Sequence, residues 1–138
     1  MNHGTPRDRQ RVTEHTAEHV NQQIRERTQR SVEYHRQHPQ LVPRRLRELD
    51  AEWDIERTLE ANAATLIVTG SMLGLTLSRR FLGIPLVVGG FLLQHALQGW
   101  CPPLPVFRRL GLRTAEEIQE ERSALKDIAS QTATSRQV

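Results

Sequence analysis

ANAATLIVTGSMLGLTLS at residues 61–78, Arg79-Arg80, and FLGIPLVVGGFLLQHALQGW at residues 81–100 decide the fold of this chain. The first run holds eighteen residues without a charge, and the uncharged stretch after the arginine pair lasts from Phe81 to Phe107. At about 1.5 Å per residue, each run makes a helix about 27–30 Å long, which matches a hydrocarbon core of about 30 Å. The expected fold is all-α: a two-helix transmembrane hairpin, spans 61–78 and 81–100, flanked by amphipathic or partly disordered polar helices. The first span is the more polar, with Asn62, Thr65, Thr69, Ser71, Thr76 and Ser78. Such side chains can bond backbone carbonyls one turn back, which makes them tolerable within a bundle. A soluble protein would draw its apolar residues from the whole length instead.

On either side the composition changes sharply. Residues 1–60 carry eleven arginines and eleven acidic groups, and residues 101–138 carry six basic and five acidic groups. Basic and acidic residues alternate, so no basic stripe for phosphates forms and nucleic acid is not an expected partner. No apolar stretch lies near the start, which predicts no signal peptide. In the polar N-terminal segment, 1–43, Val12, Val20, Ile24 and Val32 make a stripe too thin to bury alone. That segment is expected to be a frayed helix or disordered, ending at His38-Pro39. Pro43 favours a new helix start. Leu46, Leu49, Trp53 and Leu59 then give residues 44–60 an apolar helical face, suited either to a membrane surface or to packing on the protein itself. Residues 61–113 hold the hairpin and a short interfacial segment, which Gly111 closes as a C-cap. Residues 114–138 begin with a capping box, Thr114 to Glu117. An apolar edge at Ile118, Leu125 and Ile128 follows, and the tail after Ala129 is expected to be disordered.

Several constellations could carry chemistry. His15-Thr16-Ala17-Glu18-His19 matches a zinc-protease pattern, H-x-x-E-H, whose histidines would share a helix face. Its surroundings offer no dry cleft, so no metal, catalytic residue or cofactor is assigned. Gly70 and Gly74, extended by Ser78, form a small-residue face for close helix packing and a homodimer. Gly89 and Ala96 suit packing within the hairpin. Asn62, Gln94, His95 and Gln98 make a polar cluster at one depth of the hairpin, read as interhelical hydrogen bonding. Cys101, the only thiol, follows a helix C-terminus, which disfavours thiolate; it is a possible reactive thiol.

Gly99-Trp100-Cys101-Pro102-Pro103-Leu104 followed by Leu110-Gly111-Leu112-Arg113-Thr114 resembles the end of the YgaP-like inner-membrane transmembrane domain family. The resemblance covers about residues 54–114. The family's Asn-x-Gly-x-x-Asp-Arg-x-x-Arg opening is present only in degenerate form, at Asp54-Ile55-Glu56-Arg57 through Asn62. The resemblance implies a bacterial two-span hairpin; the rhodanese domain fused to some relatives has no room here. The expected function is a non-enzymatic inner-membrane module that self-associates and presents polar ends to an unidentified protein partner. The alternative is a thiol relay through Cys101, working with a separate sulfurtransferase or haem protein. Seven arginines flank the spans (Arg44, Arg45, Arg47, Arg57, Arg108, Arg109 and Arg113) against Arg79 and Arg80 in the turn. That bias predicts both termini in the cytoplasm.

Overall fold

The computed structural model describes residues 11–137; the first ten residues of the N-terminal segment and Val138 lie outside the described residues. Every regular element among the described residues is helical. After a short helical stretch at 11–14 come α1 (Glu18–Gln37), α2 (Val42–Ala51), α3 (Ile55–Thr76), α4 (Gly83–Gln98), α5 (Leu104–Arg109) and α6 (Ala115–Ser135), with 3-10 turns at Pro39–Leu41 and Arg79–Leu82.

The breaks follow local chemistry. His38 leaves the helical region at φ −128°, ψ 66° because Pro39 follows it. Residues 44–60 are not one interfacial helix. Asp54 accepts the Arg57 N–H at 2.7 Å and starts α3 afresh, while Ile55 N–H reaches out to Arg113 O at 2.9 Å. The apolar face of α2 lies on the protein itself: Leu49 is buried with Val42, Ile118, Leu125 and Ile128. Trp53, in the break, stays exposed under the Arg57 guanidinium, 4.4 Å from its ring centre.

α1, expected to fray, is a twenty-residue helix laid along α6. Its thin stripe suffices because polar residues extend it: Asn21 is buried beside Val20 and Ile24, and Ser31 bonds to α6. At the start of α6 the capping box forms as expected, with Glu117 N–H donating to Thr114 Oγ1 at 3.2 Å and Thr114 N–H to Glu117 Oε2 at 2.8 Å. The helix then continues to Ser135, through residues expected to be disordered. There Thr132, Thr134 and Ser135 donate to carbonyls four residues back, so their hydroxyls are satisfied without leaving the helix.

α3 and α4 lie side by side and antiparallel, joined by the turn at Arg79–Leu82. Asn62, Thr65 and Thr76 donate to the carbonyls of Thr58, Ala61 and Met72 at 2.8, 2.7 and 2.7 Å. Ser78 instead caps the turn, accepting from Arg80 N–H. Gly70 and Gly74 are buried between the two helices. A Cβ on Gly70 would sit 2.8 Å from Pro85 Cδ, and one on Gly74 would strike Leu82. The small-residue face assigned to a homodimer is thus consumed inside the chain, because the tight turn brings the start of α4 onto it. The assignment of Gly89 reverses too: within 4 Å of a Cβ there the structure holds nothing, and Ala96 is exposed. One helical stretch among the described residues, Arg79–Gln98, is long and apolar enough to cross a membrane; its mean hydropathy is 1.5 and none of it is buried in the protein. α4 ends at Gly99, whose φ of 70° suits glycine; Arg11 lies over that end and donates to Leu97 O at 3.4 Å.

Candidate functional site

Two sites meet at the base of the helical pair: an ionic core among α1, α2, α5 and α6, and an apolar groove among α3, α4 and α5. The ionic core starts from three side chains with almost no exposure, Arg108, Arg113 and Glu121. Arg108 grips Glu117 with both terminal nitrogens, at 2.7 and 2.8 Å. It also donates to Thr16 Oγ1 at 3.2 Å, Asn21 Oδ1 at 2.9 Å and Leu112 O at 3.2 Å. Arg113 holds Glu52 at 2.8 and 2.6 Å, Thr28 Oγ1 at 3.3 Å and Glu121. Glu121 accepts further bonds from Ser31 at 2.6 Å and Arg45 at 2.9 and 3.2 Å. The planar, five-donor guanidinium is what makes such multiple pairing possible; an ammonium has three donors on a single atom.

Burial alone would raise the Glu121 carboxyl, but the bonds from Arg45, Ser31 and Arg113 outweigh it and hold it at about 2. Glu117 follows the same pattern: burial raises it, and Arg108 with the Thr114 N–H brings it below the usual carboxylate range. Both acids therefore stay ionised at neutral pH. The sequence reading missed this core. The signal lay in α6, where Glu121 occupies the same helical sector as Ile118, Leu125 and Ile128, inside the apolar edge instead of opposite it.

The groove holds about 380 Å³ and is walled by both helices and α5. Three of the residues singled out by sequence meet there: Asn62, His95 and Cys101. Gln94 and Gln98 are not among its walls. No hydrogen bond joins the cluster across the helices among the described residues. Asn62 is committed to Thr58 O, and the buried His95 Nδ1 has no partner. Leaving a buried polar atom unsatisfied costs about 1–3 kcal/mol.

Cys101 is buried at 4% exposure beside Val12, Ile55, Leu59 and Leu104. Burial pushes its thiol up from the ordinary value, and the Leu104 backbone N–H only partly counters this. A protonated, enclosed thiol is a poor nucleophile.

The H-x-x-E-H match does not place its histidines on one helix face. His15 lies in a turn after the 11–14 stretch, and Glu18 begins α1. Thr16, between them, bonds to Val12 O at 2.6 Å and receives Arg108. No group of three potential ligands suited to a metal occurs among the described residues. Comparison of the chain with protein-family models, curated proteins and solved structures gives no match.

Proposed function

We propose that the chain is a non-enzymatic membrane module: α3 and α4 cross the bacterial inner membrane as a hairpin, and the ionic helical domain stands on the cytoplasmic side as a platform for a protein partner. The observation that carries this reading is the apolar surface of the helical pair. Leu75, Leu86 and Leu97 are 70–83% exposed, and no other part of the described chain covers them. A contiguous apolar surface of this kind needs lipid or protein around it. The seven-to-two arginine bias supports the orientation, and the likeness of residues 99–114 to YgaP-like modules accords with it. The buried, protonated Cys101 supports the non-enzymatic reading over a thiol relay. Self-association is reassigned to the side of α4 that carries Gly89, Leu93 and Ala96, since Gly70 and Gly74 are occupied within the chain.

The test is alkaline extraction of cell membranes, with C-terminal reporters that are active only in the periplasm or fluoresce only in the cytoplasm. The chain is expected to stay in the membrane pellet and to fluoresce. Release by alkali would refute the membrane reading, and periplasmic activity would refute the orientation.

A further inference from the structure

A second, open groove runs between α1 and α2. One part of it, about 630 Å³, is walled by Arg27, Arg30 and Tyr34 of α1 and by Arg44, Arg45 and Glu48 of α2. The other part, about 490 Å³, ends on Trp53, Leu110 and Leu112. Arg27 and Glu48 border both parts, so the groove is continuous. Helical spacing builds its walls: Arg27, Arg30 and Tyr34 recur at three and four residues, as do Arg44, Glu48 and Ala51.

Its charges do not balance. Glu52 at one wall and Glu121 beneath the floor are matched by Arg113 and Arg45. That leaves Arg27, Arg30 and Arg44 against Glu48, two positive charges in excess. Glu26 and Glu33 of α1 are not among the walls. Arg27 and Arg30 are exposed and make no hydrogen bond or ion pair among the described residues. Arg44 uses only Nε on Glu48, at 3.1 Å, so its terminal nitrogens stay open. Guanidinium groups in this state grip carboxylates with two parallel bonds, while the exposed Trp53 and Leu110 at the other end offer a seat for an apolar side chain. Val12, just before α1, packs with Leu59 and Cys101 at the base of the helical pair. Arg30 follows the start of α1 by twelve residues, about 18 Å of helix, so the basic part stands clear of that base. A protein segment reaches it where a bilayer around the pair does not.

We propose that this groove receives an acidic segment of the protein partner, with carboxylates on Arg27, Arg30 and Arg44 and a large apolar side chain on Trp53 and Leu110. The proposal rests on the reading of the helical domain as a partner platform and names the chemistry of that partner.

The test titrates the full chain, in nonionic detergent, into a fluorescein-labelled Glu-Ala peptide of about twelve residues, about 18 Å long as a helix, with a Phe at one end. Binding is read by anisotropy. It is expected to vanish when Gln replaces Glu in the peptide and to weaken when Ala replaces Phe. Arg27→Gln with Arg30→Gln should weaken it about 3–30-fold, the scale of two exposed ion pairs. Glu48→Gln should tighten it, because the groove loses an opposing charge. All three side chains lie at the surface, and an unchanged melting temperature shows that the variants are folded. No binding, binding indifferent to the two arginines, or failure of Glu48→Gln to tighten it would overturn the proposal. Equal binding without the Phe, or by a thymidine strand of like length, would make the groove a general polyanion surface and overturn it as well. Alkaline extraction reads the membrane assignment separately: a chain that stays in the pellet and ignores the peptide keeps the module and loses this groove.

Discussion

The largest fully buried side chains of the helical domain are Arg108 and Arg113, while α3 and α4 turn Leu75, Leu86 and Leu97 outward at 70–83% exposure. The changeover takes place within three turns of α3: Ile55 and Leu59 are buried, and Leu66 is half exposed. One region satisfies its charges internally and needs only water outside. The other satisfies its backbone internally and leaves its side chains to the surroundings, as a helix in lipid must. Between them sits the cluster of Val12, Ile55, Leu59, Cys101 and Leu104, which belongs to both. The comparison shows how average composition misleads. A chain with 37% hydrophobic residues concentrates them in one helical pair, and its second core is held by guanidinium–carboxylate pairs.

Breaking an ionic pair should have the largest effect. Arg113→Met leaves Glu52 and Glu121 without their shared cation, and loss of one partner of a buried pair typically costs about 3–5 kcal/mol. Denaturant unfolding in mild detergent, followed by tryptophan fluorescence, should show a loss of that size. A change below about 1 kcal/mol, the scale of exposed pairs, would mean that the network is only a surface arrangement.

Acid should weaken the same core and spare the helical pair. Glu121 stands at about 2 in the folded protein, against an ordinary 4.5. The unfolded chain therefore takes up the proton first, and the stabilisation is complete above about pH 4.5. It is lost as pH falls toward 2, through about 3 kcal/mol for a shift of this size. Glu121→Gln should flatten the stability profile across that window. An unchanged slope in the variant would assign the acid sensitivity to other carboxylates.

In the helical pair the prediction is steric. Gly70→Ala presses a methyl onto Pro85 and Ile84, which are too rigid to yield, and overpacking of this kind costs about 1–3 kcal/mol. Gly89→Ala meets open space and should leave the monomer unchanged. If the two substitutions shifted the melting temperature equally, the face assigned to intramolecular contact would be wrong. Thr114→Ala gives the smallest effect, about 1 kcal/mol from the lost cap, readable as a lower melting temperature of the domain. A loss matching that of Arg113→Met would show that the cap also governs the Glu117–Arg108 pair.

What could be read from the residues was the local chemistry. The Thr114–Glu117 box, the stop at Pro39 and the glycine C-cap at 111 each depend on neighbours within five residues. The close-packing role of Gly70 and Gly74 was legible as well; which helix would approach was not, because a glycine stripe is the same for an inner or an outer partner. That Asn62 and His95 share one wall followed from depth along an antiparallel pair; that Cys101 joins them while Gln94 and Gln98 do not was not foreseen. The ionic core did not, since Ser31 and Glu121 lie 90 positions apart and nothing in periodicity links a serine on a polar helix to a glutamate on another. Arg108 and Arg113 entered the sequence reading as charges counted for orientation, when their main neighbours are carboxylates within the protein.

That separation also sets an order of events. Thr16, Asn21 and Ser31 find their partners in Arg108 and Glu121, 87 to 92 residues further on, with both apolar helices between. At a synthesis rate of about 5–20 residues per second, α1 is complete roughly 5–20 s before the helix that receives it exists. The apolar pair of helices is made while the first helix is still unclaimed. The domain whose residues come first is thus the last to close, and α6 is the segment that commits it.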